Sequence, residues 1–548
     1  MEYYKIRLFL ILGELRQMPL VQKTIRFYLA LALTCAALSA LAQTQSSITA
    51  RVVDEKNQGI PFASVRLIKY NSGVITNADG TFQIPARQEF LSDTLMITCI
   101  GYKTRRVAMN SLDVNTQNLI RLQTAAVELS AVEITASDSK RLTGARLVYR
   151  AIRRIPDNYP YQPFSYIAYY RDYQLKDQQY VNLNEALVQM IDGGFATDDQ
   201  LKTKIQLIEY RQNPAFTIDS GARQPYDNRL RKFIPNATLK NFHGNELATL
   251  MVHDPIRNHD MFSFSFINRL DKDFLYNHRF SITGRITESG REIYIVSFVT
   301  HDRVSGMEHQ AVGRLYIEKG NYRIHKLQYS TNEWRSHNAV PLYAINVEYA
   351  LHHDHMYLNY ISFNNAFKMR NSNDFIVTDV HQATDSAGFV VRFSHEPTLS
   401  ALDPAAYDFR INGKRVEIRK IFFMENKAGM PNYHKSVLVL PRNTSEFNKE
   451  LAKTLNKTMT IDIYDVRDFA GRKVNVPTYI EVTQYREIFV QQLPDGQRKR
   501  VQYPELNKNT PLYAIPGTEK RAPTPDYWMN TPLRKEMGKE AEEVMNNE

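Results

Sequence analysis

Residues 48–104 read ITARVVDEKNQGIPFASVRLIKYNSGVITNADGTFQIPARQEFLSDTLMITCIGYKT. Apolar side chains alternate with polar ones at Ile48, Ala50 and Val52, at Ala63, Val65 and Leu67, at Phe82 and Ile84, and at Leu95, Ile97 and Cys99. Alternation with a period of two sends one face of each run into a core, so the stretch predicts a set of short strands. Between the runs lie Asn57 to Gly59 with Pro61, Asn71 to Gly73, and Asp79-Gly80. These residues supply the positive or fixed φ that a tight reversal needs.

Four elements follow one another here: V-V-D, then G-I-P-F-A-S-V, then T-N-A-D-G-T-F, then D-T-L-M-I-T-C-I-G-Y-K-T. In this order they resemble the carboxypeptidase-regulatory-like domain, a transthyretin-like β-sandwich. The resemblance places that domain at residues 46–123. It implies a binding or scaffolding module, not a peptidase. Such domains commonly open cell-envelope proteins, TonB-dependent receptors among them. Residues 124–137, with VELSAVEITA at 127–136, resemble the connector that follows the domain in those receptors.

The segment before the domain predicts export. Lys23 and Arg26 precede a dozen apolar residues, Phe27 to Leu38, and Ala40-Leu41-Ala42 offers a small-x-small cleavage site. This reads as a secretory signal peptide ending at residue 42, because the apolar run is too short to span a bilayer comfortably. Translation is expected to start at Met18, with Gln43 opening the mature chain. Ala32-Leu33-Thr34 before Cys35 fits a lipidation motif poorly. No later segment has eighteen consecutive apolar residues, so no transmembrane helix is expected. The predicted location is the periplasm or the outer-membrane surface of a Gram-negative-type envelope.

Composition agrees with a large sheet-rich protein. The 548 residues are 43% hydrophobic, enough for several cores, and Tyr 32 and Phe 27 against Trp 2 is a balance typical of sheets. Of the two cysteines, Cys35 falls in the leader, and Cys99 lies on an apolar strand as a small hydrophobe. Net charge is +11, and the leader's five basic and two acidic residues leave the rest near +8. Arg498-Lys499-Arg500 is read as a solvated hairpin tip, not a membrane-attracted patch. Nothing resembles a nucleic-acid recognition motif.

The fold class expected is mainly β: the sandwich followed by a large antiparallel-sheet region with a few helices. Residues 138–402 are read as a helix plus antiparallel β domain, 403–531 as a C-terminal β-rich region and 532–548 as a charged tail. A helix over 138–155 ends at Pro156. Two strands join near Lys176-Asp177, and residues 196–260 are irregular around Pro214, Pro225, Pro235 and Pro255. Hairpins are expected at Ser289-Gly290, at Lys319-Gly320-Asn321 and around His352 to His355. Residues 445–459 suggest a helix. The stretch from Thr478 to Tyr503, TYIEVTQYREIFVQQLPDGQRKRVQY, suggests a hairpin turning at Pro494-Asp495-Gly496.

Three constellations carry possible chemistry. His243-Gly244-Asn245-Glu246 is similar to the His-x-x-Glu zinc pair of metallocarboxypeptidases, which makes His243 and Glu246 candidate metal ligands. A catalytic zinc needs a third ligand and a water, and the peptidase needs a general base and substrate-binding arginines. The family's Asp-x-Asn-Arg element follows the pair, whereas Asp227-Asn228-Arg229 precedes it here, and the sandwich lies on the wrong side of the motif. The alternative is a loop leading into a short helix, ELATLMV. In His352-His353-Asp354-His355 only His353 and His355 would share a strand face, at a turn where polar residues are expected. Tyr159, Tyr161, Tyr166, Tyr169, Tyr170 and Tyr173 suggest a carbohydrate or peptide platform, or else cross-strand packing. His301-Asp302 and His253-Asp254 are pairs without a recognisable nucleophile. No Gly-x-Ser-x-Gly or phosphate-binding loop occurs.

The expected function is non-catalytic: a cell-envelope protein acting in binding or assembly, with no catalytic residues and no cofactor. Its partner would be an envelope protein or a surface glycan or peptide. A TonB-dependent receptor-related transport component is a second reading. A plug with a barrel of about 22 strands would need more than the roughly 410 residues beyond the connector. A zinc metallocarboxypeptidase is the third.

Overall fold

A computed structural model describes residues 47–125, 142–226, 231–235, 239–240, 243–261, 270, 272–288, 290–305, 309–335, 338–383, 388–411, 413–424, 433–443, 459–493, 503–516 and 527–533. The expected leader, nearly all of the connector, Arg498 to Arg500, the 445–459 helix apart from its last residue, and the tail from 534 lie outside these residues. The chain is mainly β. It divides into two units, residues 1–124 with Asn530–Leu533, and residues 125–529 with 534–548.

Among its described residues the first unit holds seven strands: β1 (Ser47–Val53), β2 (Ser64–Leu67), β3 (Ser72–Ile75), β4 (Thr81–Pro85), β5 (Thr94–Thr98), β6 (Arg105–Ala108) and β7 (Asn118–Arg121). They form two sheets, β4-β1-β7 and β3-β2-β5-β6. Ile48, Ala50, Val52, Val65, Leu67, Phe82, Ile84, Leu95 and Ile97 are fully buried, as their alternation predicts, and Cys99 is buried beside them. The motif G-I-P-F-A is held by Thr76, whose Oγ1 donates to the Ile60 carbonyl at 2.7 Å and accepts from Ala63 N at 2.8 Å. Asp79 tightens the next turn by accepting from Thr81 N (3.0 Å) and Thr81 Oγ1 (2.6 Å).

The second unit is built on a large antiparallel sheet. Its strands are β8 (Phe164–Lys176), β9 (Gln179–Asp192), β10 (Lys204–Gln212), β11 (Lys232–Phe233), β12 (His278–Glu288), β13 (Arg291–Thr300), β14 (His309–Glu318), β15 (Ile324–Arg335), β16 (Asn338–His352) and β17 (His355–Arg370). A smaller body follows, with β18 (Val377–Gln382), β19 (Phe389–Phe393), β20 (Tyr407–Ile411), β21 (Lys414–Arg415), β22 (Ile418–Phe423), β23 (Ser436–Pro441) and β24 (Met459–Ile463). Its own core gathers Phe375, Val391, Phe393, Tyr407, Val437 and Val466. The chain then returns to the large sheet as β25 (Tyr479–Gln492). The order across the sheet is β10-β9-β8-β25-β17-β16-β15-β14-β13-β12, with β11 pairing β17.

Local hairpins sit where the sequence places them. Asp177 (φ 49°) and Gln178 (φ 61°) turn β8 into β9, and His353 (φ 53°) with Asp354 turns β16 into β17. Four expectations change. The long hairpin at Pro494 is not how β25 pairs; β25 lies between β8 and β17, while Glu505 bridges Gln206 of β10. The boundary expected at Asp403 falls inside the smaller body, which starts near Phe375. The irregular stretch 196–260 contains the nine-residue β10. Pro156 does not stop a helix. The helix α1 (Gly144–Arg153) ends first, and Pro156 sits at the start of the one-turn helix Ile155–Asn158, where a missing N–H costs nothing.

Helix α1 opens on the Thr143 side chain, which accepts from Arg146 N at 3.2 Å, and buries Leu147, Val148, Ala151 and Ile152. Helix α2 (Glu246–Val252) packs on β8, β17 and β25 through Leu247, Ala248, Leu250 and Met251. Helix α3 (Lys272–Asn277) packs beside α1 and β12. None of the helices among the described residues is long and apolar enough to cross a membrane.

Candidate functional site

The centre of the large sheet carries charge where most sheet interiors carry aliphatic side chains. Arg171 and Arg486 are fully buried. The β8–β25 register sets Arg171 opposite Glu487 and Asp172 opposite Arg486. Neighbouring residues of a strand point to opposite faces, so one cross-strand ion pair or charged couple stands on each side of the sheet.

On one face Arg171 Nε donates to Glu487 Oε2, and the Tyr173 hydroxyl donates to Glu487 Oε1 at 3.2 Å. Beside it Glu185 accepts from the Tyr169 hydroxyl (2.7 Å), Arg211 Nη2 (2.6 Å) and Asn213 Nδ2 (3.1 Å). On the other face Arg486 Nε donates to Glu246 Oε2 at 2.5 Å, and Nη1 to Asn365 Oδ1 at 2.8 Å. Asp172 accepts there from the Tyr170 hydroxyl (2.8 Å) and Asn184 Nδ2 (3.0 Å). Burial, and then the charge of Glu246, push the Asp172 carboxyl up to about 7 against these hydrogen bonds. The Lys232 ammonium lies over the Tyr226 and Phe367 rings at 4.6 and 4.4 Å and donates to the Ala222 carbonyl at 2.6 Å. Burial brings it down to about 8.

A second buried group lies past the C-terminal end of α2. Arg257 grips Asp192 with two hydrogen bonds, Nε to Oδ2 (3.0 Å) and Nη2 to Oδ1 (2.8 Å), and also donates to the Gly194 and Thr197 carbonyls at 3.0 Å. Asp254 accepts from the Tyr349 hydroxyl at 2.8 Å and from the Ile256 and Arg257 amides. Asp199, 4.0 Å from Arg257, accepts from Thr203 Oγ1 at 2.5 Å, and burial raises it to about 6. These four charged residues line a cavity of about 30 Å³, room for about two waters. Between the two groups His253 stacks on Phe363 at 4.8 Å and donates from Nδ1 to the Thr249 carbonyl. Burial drives it down to about 3, so its ring is neutral.

The residues singled out by motif lie in a turn, at a helix start, in a hairpin and in the core. His243 (φ 50°) and Gly244 (φ 88°) form the turn into α2, with His243 exposed, and Asn245 caps the helix by accepting from Ala248 N at 3.0 Å. Glu246 is the first helical residue, and its carboxylate is turned to Arg486. Among the described residues no three His, Cys, Asp or Glu side chains stand together as a metal site. Cross-strand pairing sets His352, not His353, opposite His355. Of the six tyrosines only Tyr161 is exposed. Tyr169 stacks on Phe489 at 5.7 Å, Tyr173 on Tyr485 at 5.0 Å, and Tyr159 on Phe195 at 5.0 Å, so the cluster is core and not a surface platform. The sequence reading missed Arg171, Asp172, Arg257, Arg486 and Glu487. The one available signal was charge inside long apolar strands, as in QYREIFV.

Sandwich and sheet together define a mainly β protein with a transthyretin-like module near its N-terminus. Residues 48–134 match the sequence model of the CarboxypepD_reg-like domain. No curated protein matches the chain. Among solved structures, a DUF1329 family protein from Desulfovibrio piger is 8% identical over 41% of this chain and 87% of its own, with a TM-score of 0.18.

Proposed function

We propose that this is a non-catalytic cell-envelope protein, exported by its leader, whose sandwich contacts an envelope partner while the large sheet serves as a rigid platform. One observation carries the reading. The two strongly raised carboxyls are committed to neighbouring side chains: Asp172 accepts from Tyr170 and Asn184, and Asp199 accepts from Thr203 at the wall of a cavity with room for about two waters. A general acid must reach the proton it transfers, and both carboxyls are buried among protein groups. The module offers a partner the edges β6 and β7, where Arg105 and Arg106 are exposed and Leu119 is 57% exposed. An added strand or an acidic segment fits such an edge.

Cell fractionation with N-terminal sequencing tests the reading, with envelope recovery and a start at Gln43 expected. Retention in the cytoplasm with an uncut leader would contradict it. So would stoichiometric zinc that survives mild chelation and is lost in His243→Ala, which would favour the carboxypeptidase reading.

A further inference from the structure

The sandwich leaves the outer edge of β4 to a segment from the far end of the chain. Gln83 of β4 is paired with Thr49 of β1, yet its N–H points outward and donates to Asn530 Oδ1 at 2.8 Å. Asn530 Nδ2 donates in turn to the Ile75 carbonyl of β3 at 2.7 Å. One side-chain amide therefore bridges β4 of one sheet and β3 of the other, using its acceptor and its donor as a backbone peptide would. Two residues on, the Pro532 carbonyl accepts from Thr81 Oγ1 at 3.0 Å and from Asn77 Nδ2. Asn530 is fully buried and Leu533 is 5% exposed. An unpaired strand edge is a ready template for pairing, and here a carboxamide, a carbonyl and an apolar side chain cover it.

We infer that this β3–β4 corner is a recognition site for a short Asn-x-Pro-Leu peptide, filled in the intact chain by Asn530–Leu533. The selectivity follows from the chemistry. Aspartate could accept from Gln83 but could not donate to Ile75, and alanine could do neither. Asn77 and Thr81, in the turn T-N-A-D-G-T-F, read the carbonyl two residues later. The inference concerns this corner alone and stands whether or not the protein is exported.

The test uses the full-length chain carrying Asn530→Ala and follows hydrogen exchange at the Gln83 amide, with β8 and β25 amides as the folding control. Exchange at Gln83 is expected to quicken by roughly tenfold, the worth of one hydrogen bond, while the control stays unchanged. A synthetic peptide of residues 527–535 should restore protection, and the same peptide with alanine at the Asn530 position should not. Unchanged exchange in Asn530→Ala would overturn the inference. Faster exchange that the native peptide fails to reverse at millimolar concentration would overturn it too, since the segment would then act only through its tether.

Discussion

Gly80 holds φ at 82°, and a Cβ on it would stand 2.4 Å from the Val52 carbonyl oxygen and 2.9 Å from Gly59 Cα. A Cβ on Gly59 would in turn meet the Asp79 carbonyl at 2.1 Å. Two reversals cross at this point, and neither has room for a side chain. Gly80→Ala should destabilise the sandwich by ~1–3 kcal/mol, read as a lower first transition in a thermal melt. An unchanged melt would mean the loop can move aside. The buried carboxyls make a second residue-scale prediction. Asp172 and Asp199 hold their protons up to about 7 and about 6. Their folded values lie above the unfolded one, so their contribution is complete below about pH 4 and is lost as pH rises through 6 and 7. The fall in melting temperature between pH 5 and pH 8 should be shallower in the Asp172→Asn, Asp199→Asn double variant. A slope equal to the parent's would show that other groups govern it. The glycines were legible because turn residues announce themselves in a short window. The carboxyls were not, because burial raises them, and Asn184 and Arg486 are brought beside Asp172 only through strand pairing.

At the scale of elements, β8 and β25 meet through pairs separated by more than 300 positions in the chain, such as Arg171 and Glu487. Removing one partner of a buried ion pair leaves the other uncompensated, whereas replacing both with apolar residues often does not destabilise. Arg171→Met alone should therefore cost ~3–5 kcal/mol in chemical denaturation, and Arg171→Met with Glu487→Leu should recover most of that loss. Equal losses in both variants would place the contribution in packing against Tyr173 and Phe489. Helix α2 offers a second test. Asn245 caps it and also donates to the Thr510 carbonyl at 2.9 Å, so Asn245→Ala should cost ~1–2 kcal/mol and loosen residues 507–512 in hydrogen exchange. Sequence patterning found the hairpins because their strands are adjacent and alternate cleanly. It missed the place of β25, whose neighbours are set by long-range register, and it missed β10, whose strand lies in a stretch punctuated by prolines. The H-G-N-E motif was visible, and so was its alternative as a loop leading into a short helix, but only the structure turns Glu246 toward Arg486.

On the scale of the whole molecule, the smaller body is an insertion into what would otherwise be one hairpin. Arg370 at the end of β17 pairs with Tyr479 at the start of β25, and Asn371 N donates to the Thr478 carbonyl at 2.9 Å. Replacing residues 372–477 with a turn of about four residues, a common hairpin length, should leave the large sheet folded. Retained exchange protection in β8, β17 and β25 would confirm this, and its loss would show that the inserted body helps to hold the sheet. The fold class was legible as mainly β from composition and alternation alone, but the nesting of one body inside another's hairpin leaves no local mark.

That nesting sets a timetable for synthesis. Strands β8 to β17 emerge from the ribosome first, yet the slot between β8 and β17 stays empty until about a hundred further residues have been made. Through that interval two long strands each present an open edge in mid-sheet, and Arg171 and Glu246 wait for their partners on β25. A chain that stalls or is cut before Tyr479 keeps those edges, with Arg171 and Asp172 uncovered. Such fragments should be the form of this protein that aggregates and that chaperones hold.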